Sequence, residues 1–258
     1  MLSARIANDR AGRLRRFAAA IGLTAVAAFG VAGLAGNTTA AGPNDYWVLP
    51  AAAVDPAVSG TQRVILAGGC FWGIQAVYQH INGVLSAVSG YAGGNQADAT
   101  YARIQTGQTG HAEAVEVVFD PSVISFGEIL RVFFSVAHDP TELNRQGSDV
   151  GPQYRSHIYT MTAQQQEVAN AYIAQLDAAG IYGRPIVTRV DAFQSFYAAE
   201  GYHQDYLEND GAGDPHGPNV GYLRYWDYPK LDHAQLVFPE YWRNSPVLVA
   251  TTHPNLVN

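Results

Sequence analysis

The sequence predicts an α+β fold, a sheet with helices packed on it, and three observations support that prediction. Short apolar runs with strand character recur between stretches whose apolar residues fall at helical spacing. Two of the helical stretches open on capping signatures, Ser125 with Glu128 and Thr162 with Gln165. Gly68-Gly69, Gly93-Gly94 and Asp139-Pro140 punctuate the boundaries.

Each element follows from its own pattern. Arg63–Ala67 is an apolar run and reads as a strand, ended by the two glycines. From Cys70 to Ile81, the residues Phe71, Ile74, Val77, Tyr78 and Ile81 recur at helical spacing, which puts Cys70 at a helix N-terminus. Val84–Tyr91 reads as a second strand. Ala112–Phe119 alternates, with Glu113, Val115, Val117 and Phe119 on one face and Ala114, Glu116 and Val118 on the other. Ser125 then caps an amphipathic helix ended by His138-Asp139-Pro140. A strand is expected at Tyr154–Thr160, a helix from Thr162 to Gly180, a strand at 185–190 and a helix at 195–207. The tail from Gly211, rich in Gly, Pro and Tyr, offers a short helix at 230–236. Strand order and direction are not legible at this level.

Residues 1–40 stand apart. Five arginines precede an uncharged run from Phe17 to Gly36, and Thr38-Thr39-Ala40-Ala41 supplies small residues after it. That is the layout of a secretory signal peptide, with Arg15-Arg16-Phe17 a partial twin-arginine match; an uncleaved membrane anchor is the alternative. A periplasmic or secreted protein is the expectation. Residues 41–60 read as a linker, 61–210 as the main domain and 211–258 as an extension packed on it. Without the five arginines and one aspartate of residues 1–40, the formal net charge of −7 becomes −11. So acidic a surface disfavours nucleic acid and anionic lipid. The 15 tyrosines suit pockets that need hydroxyl donors beside apolar area.

The chain has one cysteine, Cys70, in Gly68-Gly69-Cys70-Phe71-Trp72-Gly73. Exported proteins usually pair their cysteines, and a single one has no internal partner. It is either buried filler or a reactive thiol. A helix N-terminus favours the thiolate, so a lowered Cys70 pKa is expected. Phe71 and Trp72 are either core or the walls of an apolar pocket. Glu113 shares a face with Val115 and Val117. Buried there, its carboxyl would be pushed up and made a proton donor near neutrality; at a solvated strand end it would be ordinary.

Several segments together carry a family resemblance. They are Gly-Gly-Cys70-Phe71-Trp72-Gly, Ser89-Gly-Tyr91-Ala-Gly-Gly94, Thr100-Tyr101, Thr109-Gly-His111-Ala-Glu113-Ala-Val115, His138-Asp139-Pro140, Asp149-Val-Gly-Pro-Gln153-Tyr154-Arg155-Ser156 and His203-Gln-Asp-Tyr206-Leu. In this order, across residues 63–210, the chain resembles the A-type peptide-methionine (S)-S-oxide reductases. The resemblance implies a two-layer α/β sandwich with a mixed sheet and a ferredoxin-like core. It implies that Cys70 attacks the sulfoxide sulfur, that Glu113 protonates the sulfoxide oxygen, and that Tyr101 and Tyr154 hydrogen-bond it. Phe71 and Trp72 would hold the substrate methyl group, with Asp149, His203 and Tyr206 nearby in support. Taken singly, those tyrosines read as packing residues, His203 as a surface helix residue and Asp149 as a loop cap; the register of the motifs changes that reading.

Many relatives carry further cysteines near the C-terminus that resolve the sulfenic acid. This sequence has none, so reduction is expected from an external thiol: a thioredoxin-like protein, a glutaredoxin-like protein or a small thiol. No bound cofactor or metal is expected. The expected substrates are oxidised proteins or peptides and free methionine sulfoxide, and the expected state is a monomer. Two other readings stay open at this point. One is a cysteine hydrolase pairing Cys70 with His111, His138, His157 or His203. The other is a secreted binding module whose cysteine is structural.

Overall fold

The computed structural model describes residues 46–257, and the expected signal segment lies outside them. The order of elements is β1 (Gln62–Gly68), α1 (Phe71–Gln79), β2 (Val84–Ala92), α2 (Tyr101–Ile104), β3 (Ala112–Phe119), α3 (Phe126–Val132), β4 (Arg145–Gln146), β5 (Asp149–Val150), β6 (Ser156–Thr160), α4 (Ala163–Ala179), β7 (Arg189–Ala192), β8 (Phe196–Ala198), α5 (Val220–Tyr222), α6 (Tyr228–Val237) and α7 (Val249–Thr252). A wide π-type turn, Phe133–Ala137, continues α3, and another, Leu223–Asp227, joins α5 to α6.

Six strands form one mixed sheet in the order β7-β6-β1-β3-β2-β8. The inner four, β6-β1-β3-β2, are antiparallel neighbours, whereas β7 runs parallel to β6. This is the ferredoxin-like arrangement, in which two split β-α-β units interleave. The main core lies between one sheet face and the helices and holds Val64, Leu66, Val115, Val117, Ile74, Val77, Leu130 and Leu176. The opposite face carries a thinner cluster of Ile65, Ala67, Ala112, Ala114 and Tyr159. Strand parity therefore decides the layer, and Glu113 falls on the helix side with Val115 and Val117.

Both capping signatures act as expected. Ser125 and Thr162 accept from the backbone N–H groups of Glu128 and Gln165, and Gly180 closes α4 with a left-handed φ of 63°. Two expectations are corrected. The strand expected at 185–190 begins only at Arg189, because Pro185 has no N–H to give and Val187 N–H bonds Pro140 O instead. The helix expected at 195–207 does not form. Phe196–Ala198 pairs with the edge of β2, and Gly201–His203 makes a single tight turn. Gln204 then completes the edge with its side chain, accepting from Ser89 N–H and donating to Ser89 O, so tertiary pairing overrides the local helical spacing.

Residues 46–60 contain no helix or strand, but they are bound rather than free. Leu49 is buried, worth roughly 2 kcal/mol by the area it removes from water. Arg131, Tyr172 and Gln175 donate to the carbonyls of Leu49, Pro50 and Ala51. Asp55 accepts from Gly127 N–H at 2.9 Å and from the Ser125 hydroxyl, bracing the start of α3. At the other end of the chain, α6 packs on α1, and Val249 and Ala250 donate to the buried Asp205 carboxylate.

Candidate active site

Gly69 makes the turn between β1 and α1 with φ 100°, a conformation that favours glycine. It delivers Cys70 as the N-cap of α1, just beyond the end of β1. Glu113, near the start of β3 and opposite Tyr91 in the ladder, reaches the same place. Its carboxyl oxygen Oε2 accepts from the N–H of Phe71, the residue after Cys70, at 3.2 Å. Acid and thiol thus meet at the first turn of one helix.

Cys70, Phe71, Trp72, Tyr101, Glu113, Asp149, Tyr154, Asn219 and Tyr222 line a cavity of about 90 Å³. It is small, apolar on the Phe71–Trp72 side and rich in hydroxyl and carboxyl groups on the other. A second cavity of about 380 Å³ adjoins it and shares Trp72, Tyr101 and Asn219 as walls. Of the residues singled out in the sequence, His203 and Tyr206 do not line the small cavity. They stand behind it and fix Trp72. The indole stacks on Tyr206 at 3.7 Å between centroids and 4° between planes, and Trp72 Nε1–H donates to His203 Nδ1 at 3.1 Å. Because an indole N–H only donates, His203 must accept at Nδ1 and is the Nε2-protonated, neutral tautomer. Burial agrees, lowering its pKa to about 4.

Burial also governs the acid. It pushes the Glu113 carboxyl up to about 8; the Phe71 N–H bond pulls the other way, and the negative charges of Asp149 and Asp227 add to the rise. Glu113 is therefore a protonated donor at neutral pH. The expectation for Cys70 is corrected. A backbone N–H at the helix start does favour the thiolate, but burial comes first, followed by Asp227, Glu113 and Asp149, and together they hold the thiol well above its usual range. The Tyr101 and Tyr154 phenols are raised by burial too, so both remain hydrogen donors.

Three further groups shape the site beyond the residues given a role from the sequence, and of these only Arg155 lies within a motif already quoted. Glu200 holds Tyr101 in place: it accepts from Tyr101 N–H at 2.9 Å and from the buried Tyr91 hydroxyl at 2.6 Å. Arg155 donates to Gly110 O at 2.9 Å and His111 O at 3.1 Å, just before Glu113, and to Pro152 O at 2.8 Å in the turn that carries Tyr154. It ties the acid's strand to the phenol's turn. The tail supplies Asn219 and Tyr222 to the cavity wall, and Tyr222 OH donates to the Asp149 carboxylate. The Glu200 contact leads to a prediction. Glu200→Gln loses one of two charge-assisted bonds, about 1 kcal/mol or roughly fivefold in kcat/KM. Steady-state assays should show that loss in the wild-type background and almost none on top of Tyr101→Phe.

None of the four imidazoles is placed to activate Cys70. His111 bonds Gly94 N–H and Asn95 O, His138 bonds Ser156 and Phe133 O, and His157 bonds Asp191. His203 is engaged with Trp72, and none of the four lines the cavity. Among the described residues, no group of three His, Cys, Asp or Glu side chains is arranged to hold a metal ion.

A family model described as "Peptide methionine sulfoxide reductase" matches residues 62–218. Over 195 residues the chain is 48% identical to "Peptide methionine sulfoxide reductase MsrA 2" of Mesorhizobium japonicum, covering 76% of this chain and 96% of that one. A relative of the same description in Synechocystis is 46% identical over 178 residues, 69% of this chain and 80% of its own length. Among solved structures, methionine sulfoxide reductase A of Corynebacterium diphtheriae superposes with a TM-score of 0.51 at 39% identity, covering 61% of this chain and 79% of that one. Mxr1 from Saccharomyces cerevisiae in reduced form gives 0.53 at 31% identity, covering 62% and 90%. The matched segment contains the thiol, the buried acid and both phenols of the cavity, and the chain belongs to the peptide methionine sulfoxide reductase family, an oxidoreductase of the A type.

Proposed function

We propose that this enzyme reduces the S epimer of methionine sulfoxide, free or in proteins, with Cys70 as nucleophile and Glu113 as acid. The observation that carries the reading is the buried Glu113 carboxyl at the first turn of α1, sharing one small cavity with Cys70, Tyr101 and Tyr154. A sulfoxide is a poor electrophile until its oxygen is protonated. Glu113 gives that proton, while Tyr101 and Tyr154 donate hydrogen bonds to the oxygen as charge builds on it. Phe71 and Trp72 hold the methyl group, which turns the sulfur toward Cys70 and sets the epimer.

Cys70 Sγ attacks the sulfoxide sulfur, the S–O bond breaks, and the hydroxyl passes to Sγ. Thiol and sulfoxide become sulfenic acid and sulfide, a balanced transfer of one oxygen. The proton lost by Glu113 is replaced by the one the thiol gives up, so the site ends as neutral as it began. That suits a cavity in which burial penalises every charge. An external thiol then displaces water from the sulfenic acid to give a mixed disulfide, and a second thiol releases Cys70. A thioredoxin-like or glutaredoxin-like protein, or a small thiol, fills this role. The arginine-rich, apolar first forty residues support export, and oxidised methionines of envelope and secreted proteins are then the substrates.

The test is a single turnover without reductant. Each chain should release one equivalent of methionine from the S epimer, none from the R epimer, and stop with a dimedone-reactive Cys70. Continued release beyond one equivalent would contradict the one-cysteine cycle.

A further inference from the structure

Asp227 lies beyond the family-matched residues 62–218 and outside the cavity wall, yet it is fully buried against the first turn of α1. Gly73 makes the room: a methyl group on its Cα would sit 2.3 Å from Asp227 Oδ1 and 3.0 Å from Lys230 Cδ. Gly73 is three residues after Cys70 and so shares its side of the helix. Burial pushes the Asp227 carboxyl up, and Lys230 Nζ, 3.1 Å from Oδ1, opposes that rise, while Oδ2 is buried with no hydrogen-bond partner. A buried carboxylate with one oxygen unsatisfied is a costly feature, and here it stands beside the only thiol of the chain.

We propose that Asp227, held ionised by Lys230 against the first turn of α1, keeps Cys70 in its thiol form and so shields it, and the sulfenic acid it becomes, from hydroperoxides. Peroxides react with the anions. A thiolate displaces hydroxide from hydrogen peroxide to give the sulfenic acid; a sulfenate takes oxygen from a second peroxide, releasing water, to give the sulfinate, which thiols do not reverse. With no second cysteine to trap the sulfenic acid, a negative charge nearby protects both stages by disfavouring both anions. Sulfoxide reduction is spared, because there the thiol proton is exchanged inside the site with Glu113. The charges and phenols facing Cys70 are Glu113 from β3, Asp149 from β5, Tyr101 from α2, Tyr154 from the turn before β6, Tyr206 after β8, Tyr222 from α5, and the Asp227–Lys230 pair from the tail. Asp227 is the leading charge among those that burial adds to in raising the thiol.

The purpose of the shield rests on Cys70 being the nucleophile; its measurement does not, since with a single cysteine any alkylated thiol, read on the peptide that carries it, is Cys70. Full-length wild-type, Asp227→Asn and Lys230→Gln proteins are alkylated with iodoacetamide from pH 6 to 10, and the modified fraction is read by mass spectrometry. Asp227→Asn should move the profile to lower pH, with alkylation at pH 7.5 about tenfold faster, as one unit of thiol pKa requires. Lys230→Gln removes the cation that holds Asp227 ionised, so the buried carboxyl takes up a proton and alkylation should quicken about threefold, by the same conversion. Superimposable wild-type and Asp227→Asn profiles would overturn the proposal. If Asp227→Asn does not fold, an unchanged or slower Lys230→Gln protein overturns it and a faster one supports it. Treatment with hydrogen peroxide completes the test: Asp227→Asn should accumulate the sulfinic form at lower peroxide, and equal accumulation would remove the protective role. Failure of the reductase reading would show differently, as sulfoxide turnover surviving Cys70→Ser while these profiles stand.

Discussion

Glu113→Gln should slow the oxygen-transfer step of a single turnover by roughly two to four orders of magnitude, the usual worth of a positioned general acid. The side chain keeps its shape, and its amide oxygen still accepts from Phe71 N–H, so the start of α1 should hold. The proton is gone, and the sulfoxide oxygen is left to two phenols that bind their hydrogens tightly. The pH dependence should change with it. With the Glu113 carboxyl pushed up to about 8, wild-type transfer should weaken as pH rises through that value, because the ionised carboxylate has no proton to give. The variant should lack this alkaline fall. Rapid-quench measurement of methionine release from pH 6 to 10 checks both. A variant with wild-type rate and wild-type alkaline limb would take Glu113 out of the mechanism.

Cys70→Ser should abolish turnover with dithiothreitol, to below about one part in a thousand. A hydroxyl in this cavity is a far weaker nucleophile than a thiol and has no accessible oxidised state equivalent to sulfenic acid. The fold should survive, since Cys70 makes no side-chain cap to α1 and serine is smaller than the space vacated. Far-UV circular dichroism should superimpose, and the thermal midpoint should fall by only a few degrees, as about 1 kcal/mol implies. Residual turnover in a correctly folded variant would show that the oxygen leaves by some path other than Cys70.

The extent to which this was legible in the sequence depends on whether a residue's role is local. Ser125, Thr162 and Gly180 announce their helices because caps are set by neighbouring residues. The alternation from Ala112 to Phe119 placed Glu113 on the buried face because strand parity is a local rule. The cavity residues Cys70, Phe71, Trp72, Tyr101, Glu113, Asp149 and Tyr154 were found as a set, through motifs in register rather than one by one. The segment 195–207 misled because its helical spacing is real but the open edge of β2, filled by Phe196–Ala198 and the Gln204 amide, is worth more to it. The charge state of Cys70 misled for the same reason. The helix start was visible in the sequence, whereas the burial that comes first in raising the thiol, and the acidic groups that add to it, are assembled by the fold, the latter from β3, β5 and the tail, 43 to 157 residues away along the chain. Tyr222 and Asn219 belong to a single turn of helix whose position nothing in its own composition sets.

The bound segment at residues 46–60 bears on the order in which the molecule is made. Leu49 is held by Arg131, 82 residues further along the chain, and Pro50 and Ala51 by Tyr172 and Gln175, 122 and 124 residues further. Synthesis at about 5–20 residues per second puts roughly ten seconds between the emergence of this stretch and that of its partners. It is made early, and none of these bonds can form until Arg131, Tyr172 and Gln175 have been synthesised. The first described part of the chain to be made is thus secured only by parts made long after it.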